Sequence, residues 1–386
     1  MDIRQFLVAC VLCGLASPAA SAPQIDREAA QEVVFDWATQ RCGDWDIPDA
    51  PARAWRDANG MVRRVAGSET SRAAVGADLD EVAHQCKVLH QGSEFDDPAA
   101  WDDRSWIAAV TTQDGRNLTA LAHMEYHGNR RPEGCPSKRY DRCWFNAIVE
   151  LQSTDGGKSF TRLGGAADLV AMLPWPYLGE TTHRTGYFNP SNILRQGDWL
   201  YAFVFAEKAG VQARGPCLLR RPSVGTARDW RAWDGKGFGV RFLNPYRDRI
   251  DDPSQHVCQP VRGINSTISS VVWHDASRQF VAVTPMEGRD AAGNLQSGIY
   301  WSVSADLLNW TTPQLIYAVP LMWRRDCSQP VAYAYPSLID PDSEGRDFGT
   351  VDDSFWLYLT RMELDAECRI TRHRDLIRVP VIWRAG

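Results

Sequence analysis

The segment Ser153-Thr-Asp155-Gly-Gly-Lys-Ser-Phe160 reads as the end of a strand, a tight aspartate-containing turn, and an aromatic residue opening the next strand. The same pattern recurs as Val75-Gly-Ala-Asp78-Leu79, Ala227-Arg-Asp229-Trp230, Val303-Ser-Ala-Asp306-Leu-Leu-Asn-Trp310 and His373-Arg-Asp375-Leu376. Its aspartates stand 77, 74, 77 and 69 positions apart, a period near 75 that divides residues 23–386 into five units. The turns are expected to act as structural clamps.

Each unit also carries an earlier hairpin. In the second, Trp106-Ile-Ala-Ala-Val-Thr-Thr and Leu118-Thr-Ala-Leu-Ala-His-Met-Glu125 flank the turn Gln113-Asp-Gly-Arg, and matching hairpins end at Glu69, Glu207, Glu287 and Arg361. Short runs rich in Val, Ile, Thr and aromatics, bounded by Gly, Asn and Asp, are strands, and no helical period competes with them. Four-stranded units that cannot bury their faces alone do so when arranged radially, so the expected fold is an all-β, five-bladed β-propeller of four-stranded antiparallel blades. A sandwich or jelly roll would explain the strands but not the period. The 16 Trp residues suit flat interfaces between blades.

Residues 1–22 combine an apolar run, Phe6 to Leu15, with Ala20-Ser21-Ala22, the form a signal peptidase cuts, so they are read as an export signal preceding a single domain over 23–386. Leu7-Val-Ala-Cys10 also has the look of a lipoprotein box, but acylation at Cys10 would leave too short an apolar core. A secreted or periplasmic location follows, with no later apolar run long enough to span a membrane. A net charge of -6 argues against nucleic acid as a partner.

The remaining cysteines number eight, and none forms a C-x-x-C pair. Strand order favours pairing sequence neighbours: 42 with 86, 135 with 143, 217 with 258, and 327 with 368. The second bridge would pin a loop rich in Arg and Lys (Arg130, Arg131, Lys138, Arg139, Arg142), which could suit an anionic polysaccharide or merely be solvated.

In an antiparallel blade the end of the second strand lies beside the start of the first. Glu69, Glu125, Glu207, Glu287 and Arg361, together with Asp49, Asp103, Asn189, Ser266 and Ser337, should therefore ring the axis at one end. The longest loops, carrying Trp175, Tyr177, Tyr246 and Trp323, emerge at that end. Aromatics above a ring of carboxylates suit a carbohydrate, whose rings present apolar faces and hydroxyl edges.

On these residues the whole of 23–386 resembles the five-bladed glycosidase-like superfamily of arabinanase, xylosidase and invertase types, through Asp49-Ala-Pro51, Asp97-Pro98, Asn189-Pro190, Tyr335-Pro-Ser337 and Ala305-Asp-Leu-Leu-Asn-Trp310. The segment 153–160 is similar to a sialidase Asp box, with Phe160 where Trp is usual. The resemblance implies glycoside hydrolysis, with an Asp base or nucleophile in the first blade, an Asp in the second and a Glu acid in the third. Asp49 and Asp103 fill the first two places, but Asn189 departs from the third, so the acid must be Glu125 or Glu207. Glycosidases need one carboxyl holding a proton and one ionised.

The expected catalytic set is therefore Asp49, Glu125 and Glu207, with Asp103, His123, His127, Asn189, Glu287 and Arg361 binding substrate. His123-Met-Glu125-Tyr-His127 alternates along a strand and admits a metal, though substrate hydrogen bonding is preferred and no metal is assigned. Asp340-Pro-Asp342-Ser-Glu344-Gly345 resembles the start of a calcium loop but carries Val351 at the twelfth place, which favours a polar turn; no cofactor beyond structural calcium is considered. Two other functions remain open: a noncatalytic glycan-binding propeller, and a lyase on uronates in which His123 or Tyr126 abstracts a proton.

Overall fold

Short segments rich in β-branched, aromatic and small residues lie between turns and form strands, of which Leu118–His127 and Trp144–Ser153 are buried on both faces. The computed structural model of the protein describes residues 21–290 and 292–384. Among these the only α-helix is α1 (Trp37–Gln40); the rest is strands, turns and short 3-10 segments.

The strands β1 (Ala22–Ile25) and β2 (Glu32–Phe35) precede an antiparallel meander of β3 (Arg53–Arg56), β4 (Val62–Val65), β5 (Thr70–Gly76) and β6 (Ala83–Gln91). A second group follows, of β7 (Arg104–Thr112), β8 (Leu118–His127), β9 (Trp144–Ser153) and β10 (Leu169–Ala171). In the third, β11 (Thr185–Phe188) and β12 (Leu194–Gln196) share one edge of β13 (Trp199–Ala206), which continues to β14 (Gly215–Pro222) and β15 (Arg231–Ala232). Two parallel residue pairs between β11 and β9 join the second and third groups. The fourth contains β16 (Ser270–His274), β17 (Gln279–Arg289), β18 (Leu295–Ser304) and β19 (Gln314–Ala318). In the last, β20 (Val331–Ile339), β22 (Ser354–Leu364) and β23 (Ile370–Arg384) pair in order, while β21 (Thr350–Val351) pairs with β16.

The outer edge of that last sheet comes from the other end of the chain, because β1 and β2 both pair antiparallel with β23. This changes the reading of His373-Arg-Asp375-Leu376, which lies inside β23 and is not a turn. With its outer strand supplied by the N-terminal segment, the last sheet needs no chain reversal there. Asp375 is buried instead, accepting from Trp37 N–H at 2.9 Å and Arg361 at 2.7 Å. The other four aspartates do close turns: Asp78 accepts from Asp80 and Glu81, Asp155 from Lys158 and Ser159, Asp229 from Thr226, and Asp306 from Leu308 and Asn309.

Apolar clusters link each group to the next. Trp55 meets Phe160 edge-on, Trp310 meets Phe203, and Trp383 meets Trp301, while Trp230 donates its indole N–H to Glu150 at 3.0 Å. A further cluster, including Ala52, Val62, Ile339 and Tyr358, packs the last group against the first. At the centre the buried Arg53 donates to Ala108 O and Ser269 O, both at 2.7 Å, and to Ser337 Oγ at 3.2 Å. Bulges at Ile107/Ala109 and Ala334/Ser337 free the ladder where two of these acceptors lie.

Cys42–Cys86, Cys135–Cys143, Cys217–Cys258 and Cys327–Cys368 are bonded, the four pairs expected from strand order. The expected export signal lies outside the described residues apart from Ser21 and Ala22; Ala22 opens β1 opposite Arg384. No helix among the described residues is long and apolar enough to cross a membrane. In the 340–345 turn, Asp340 accepts from Asp342 N–H and Asp352 N–H, and the carbonyls of Pro341, Ser343 and Gly345 are bound by the Arg56 guanidinium.

Candidate functional site

The inner strand ends open into one cavity of about 770 Å³. Of the nine expected site residues it gathers Asp49, His123, Glu125, His127, Asn189 and Glu287; Asp103, Glu207 and Arg361 stand outside its lining.

Alternation along β8 aims His123, Glu125 and His127 the same way. Glu125 holds His127 Nε2 at 2.7 Å through one oxygen and His123 Nε2 at 3.4 Å through the other. Burial pushes His123 down to about 4, so this imidazole is neutral at physiological pH and its contact with Glu125 is dipolar. The same nitrogen meets the Asn146 side-chain amide. His127 packs against Tyr140 and Trp144, at 5.2 and 5.8 Å between ring centroids, and those two rings touch each other at 4.9 Å. Tyr140 belongs to the loop closed by Cys135–Cys143, so that bridge holds an aromatic wall of the site.

Asp49 lies between α1 and β3, its N–H donated to Ala66 O at 3.0 Å. Its carboxylate accepts from Tyr335 Oη at 3.1 Å and is bound by the Arg374 guanidinium. Burial pushes the Asp49 carboxyl up, Arg374 and Tyr335 pull it back, and the nearby Glu125 charge adds to the rise. Tyr335 reaches it from the bulge in β20 with φ of 57°, a conformation costly for a bulky residue. Burial keeps that tyrosine a neutral phenol, far above its ordinary range.

Most of the remaining charges are paired. Glu69, pushed up mainly by burial, binds Arg104 at 2.7 Å. Asp103, immediately before β7, stands outside the cavity lining; it takes Arg131 and the His127 N–H at 3.0 Å. The ring position expected for Asp103 thus belongs to Arg104, since a shift of one residue reverses the face of a strand. Glu207 is enclosed by Arg184 at 2.8 Å and Arg214 at 3.1 Å, one on each oxygen. Glu287 binds Arg324 at 2.8 Å, and Arg361 is spent on Asp375. Ser266 lines the cavity, whereas Ser337 turns to Arg53 and Ala52 O.

Most of the basic loop is engaged in its own structure: Arg131 with Asp96 and Asp103, Lys138 with backbone carbonyls, Arg139 with Asp141 and Arg142 with Glu180. Of its cations only Arg130 lines the cavity. Among the loop aromatics, Trp323 lines it, while the Tyr177 ring packs on Tyr126 and Phe145 and the Tyr246 hydroxyl accepts from Tyr177 N–H at 2.9 Å. Tyr126 donates to Asp96 O and is not in the lining. The sequence reading missed the cavity residues Trp106, Trp144, Tyr140, Arg184, Arg214 and Arg374. The charged ends of β8 and β13 marked the neighbourhood, but nothing local marked Arg374 on β23, brought in by the closing sheet.

Two side-chain groups among the described residues place three ligand-type atoms close together: Cys42, Asp46 and His84, and Asp36, His373 and Asp375. Cys42 is disulfide-bonded and Asp375 already binds Arg361, so neither is assigned a metal. His123, Glu125 and His127 do not form such a group.

No family model and no curated protein matches the sequence. Solved structures do. Cellvibrio cellulosa α-L-arabinanase complexed with arabinohexaose matches with TM-score 0.44 and 11% identity over 86% of this chain and 91% of that one. α-L-Arabinofuranosidase from Lactobacillus brevis matches with TM-score 0.48 and 10% identity over 94% of each. The GH43_1 enzyme from Xanthomonas citri complexed with xylotriose gives TM-score 0.46 and 12% identity over 92% of this chain and 91% of that one. At these levels the function rests on the site itself.

Proposed function

We propose that the five strand groups are blades of a β-propeller and that the chain is an exported glycoside hydrolase acting on a poly- or oligosaccharide. One observation carries the catalytic reading: Asp49 and Glu125 face a single aromatic-walled cavity, close enough that the charge of one raises the other. Closure of the last sheet by β1 and β2 and the cluster joining last group to first support the blade reading. Four disulfides suit an oxidising compartment.

In this reading Asp49 is the base or nucleophile. Burial makes its carboxylate more basic, while Arg374 and Tyr335 keep it placed and ionised. Glu125 is the acid, its carboxyl held in position by the contact with His127 Nε2, whose ring packs against Tyr140 and Trp144. The acid protonates the glycosidic oxygen as its bond to the anomeric carbon breaks. Water completes the reaction, delivering its hydroxyl to that carbon and its proton to a carboxylate. Both oxygens of Glu207 are already bound by guanidiniums, so it serves to position Arg184 and Arg214. His123, His127, Asn189 and Glu287 would bind sugar hydroxyls, with Trp106, Trp144 and Tyr140 against ring faces.

The test is a reducing-end screen over plant, algal and bacterial glycans, followed by Glu125→Gln on the cleaved substrate. A loss of at least ~100-fold in kcat is expected. Full activity in Glu125→Gln would remove the acid assignment.

A further inference from the structure

Around most of the cavity each guanidinium has a carboxylate of its own, Arg104 with Glu69, Arg374 with Asp49 and Arg324 with Glu287, while Glu125 has no guanidinium and meets His123 and His127. One part departs from this balance. Arg184 and Arg214 share the single carboxylate of Glu207, and Arg130, exposed on the same cavity, has no ion-pair or hydrogen-bond partner among the described residues. This surplus of positive charge stands in a chain whose formal net charge is -6, so it does not reflect a generally basic surface.

The two shared guanidiniums are also oriented in advance. Arg184 lies 4.7 Å over the Phe188 ring and 5.2 Å over Trp144, and Arg214 lies 4.7 Å over Phe205. Stacking fixes each plane and leaves its edge donors free. Arg184 uses Nε and Nη2 on Glu207, while Arg214 uses Nε there and Nη1 on Asn265 O at 3.4 Å. Arg184 Nη1 and Arg214 Nη2 therefore keep donors for an incoming acceptor. A neutral hydroxyl would leave the surplus charge unanswered; an anionic group would neutralise it and accept from both planes.

We infer that this part of the cavity binds an anionic substituent, a carboxylate or a sulfate, so that the saccharide is acidic. The inference rests on the carbohydrate reading above and specifies its substrate class. Arg184 and Arg214 are its specificity-determining residues.

Calorimetric titration of the Glu125→Gln protein with three galactose-based trisaccharides, one neutral, one of galacturonate and one carrying 6-O-sulfate, tests it. At least one acidic probe should bind ~10-fold or more tighter than the neutral one at low salt, and the preference should shrink in 0.5 M NaCl. Preference for galacturonate alone identifies a carboxylate, for the sulfated probe alone a sulfate, and for both a response to charge. Arg214→Gln should reduce the preference ~5-fold or more, with Arg214→Lys recovering part of it; Arg214 is half exposed, so neither change threatens the fold. Binding of the neutral probe as tightly as the acidic ones, no binding of either acidic probe, or an unchanged preference in Arg214→Gln would overturn the inference. Reducing-end release by the wild type is read separately. Release from neutral glycans without acidic preference defeats this inference and leaves the hydrolase standing; acidic preference without release from any glycan does the reverse.

Discussion

Replacing Arg53 by methionine keeps much of the buried stem but removes the donors that tie the inner strands together. The carbonyls of Ala108 and Ser269 would lose partners now at 2.7 Å, whereas Ala52 O would keep the Ser337 hydroxyl at 2.6 Å. Two buried acceptors left unpaired cost about 1–3 kcal/mol each. Two effects offset this: methionine no longer buries a cation lacking a carboxylate partner, and water can reach Ala108 and Ser269 because both border the cavity. The balance is a destabilisation of about 2 kcal/mol, or roughly 2–4 °C in Tm for a domain of this size. Thermal and urea unfolding of wild type, Arg53→Met and Arg53→Lys would measure it, with lysine intermediate because one ammonium reaches fewer acceptors. If Arg53→Met equals or exceeds the wild type in stability, desolvation of the guanidinium outweighs its hydrogen bonds and Arg53 is no central tie.

Cys135→Ser with Cys143→Ser removes a bridge between residues 8 apart, worth about 2 kcal/mol; KM should rise severalfold while Tm falls by only roughly 2–4 °C, as kinetics on the cleaved glycan beside calorimetry will show. Asp155 is pulled down to about 2, with turn hydrogen bonds outweighing its desolvation. Its stabilisation is therefore complete above the ordinary carboxyl value and is lost as pH falls through about 2. Asp155→Ala should accordingly cost about 1 kcal/mol at pH 7, with the gap to wild type narrowing between pH 4 and 2 in urea titrations. Glu207→Gln should lower kcat far less than Glu125→Gln while raising KM, because it loosens Arg184 and Arg214 without removing the proposed acid; an equal fall in kcat would return the acid role to Glu207.

Local chemistry made much of this legible. Four Asp turns and the strand runs between them are short-range features, and strand order sufficed to pair the cysteines. Long-range pairing is what a local reading lacks. The docking of β1 and β2 on β23 links the two ends of the described chain, so Asp375 looked like a turn residue and Arg374 went unnoticed. Asp103 and Arg104 illustrate a second limit, since both are charged and polarity alone does not say which of two neighbours faces the axis. Burial supplied the rest: the His123 shift to about 4 comes from the packed surroundings of β8, while its motif shows only alternation.

The most direct test of the proposed chemistry is a comparison of wild type, Asp49→Asn and Glu125→Gln on the glycan found by the reducing-end screen, with product anomers followed by NMR. Both variants should lose at least ~100-fold in kcat while keeping the wild-type Tm within a few degrees. Azide should restore turnover to Glu125→Gln on a substrate with an activated leaving group if the reaction is retaining, and not if it is inverting, in agreement with the anomer seen for the wild type. Wild-type kcat in either variant would contradict the assignment of that carboxyl, and wild-type kcat in both would contradict the Asp49 and Glu125 pair.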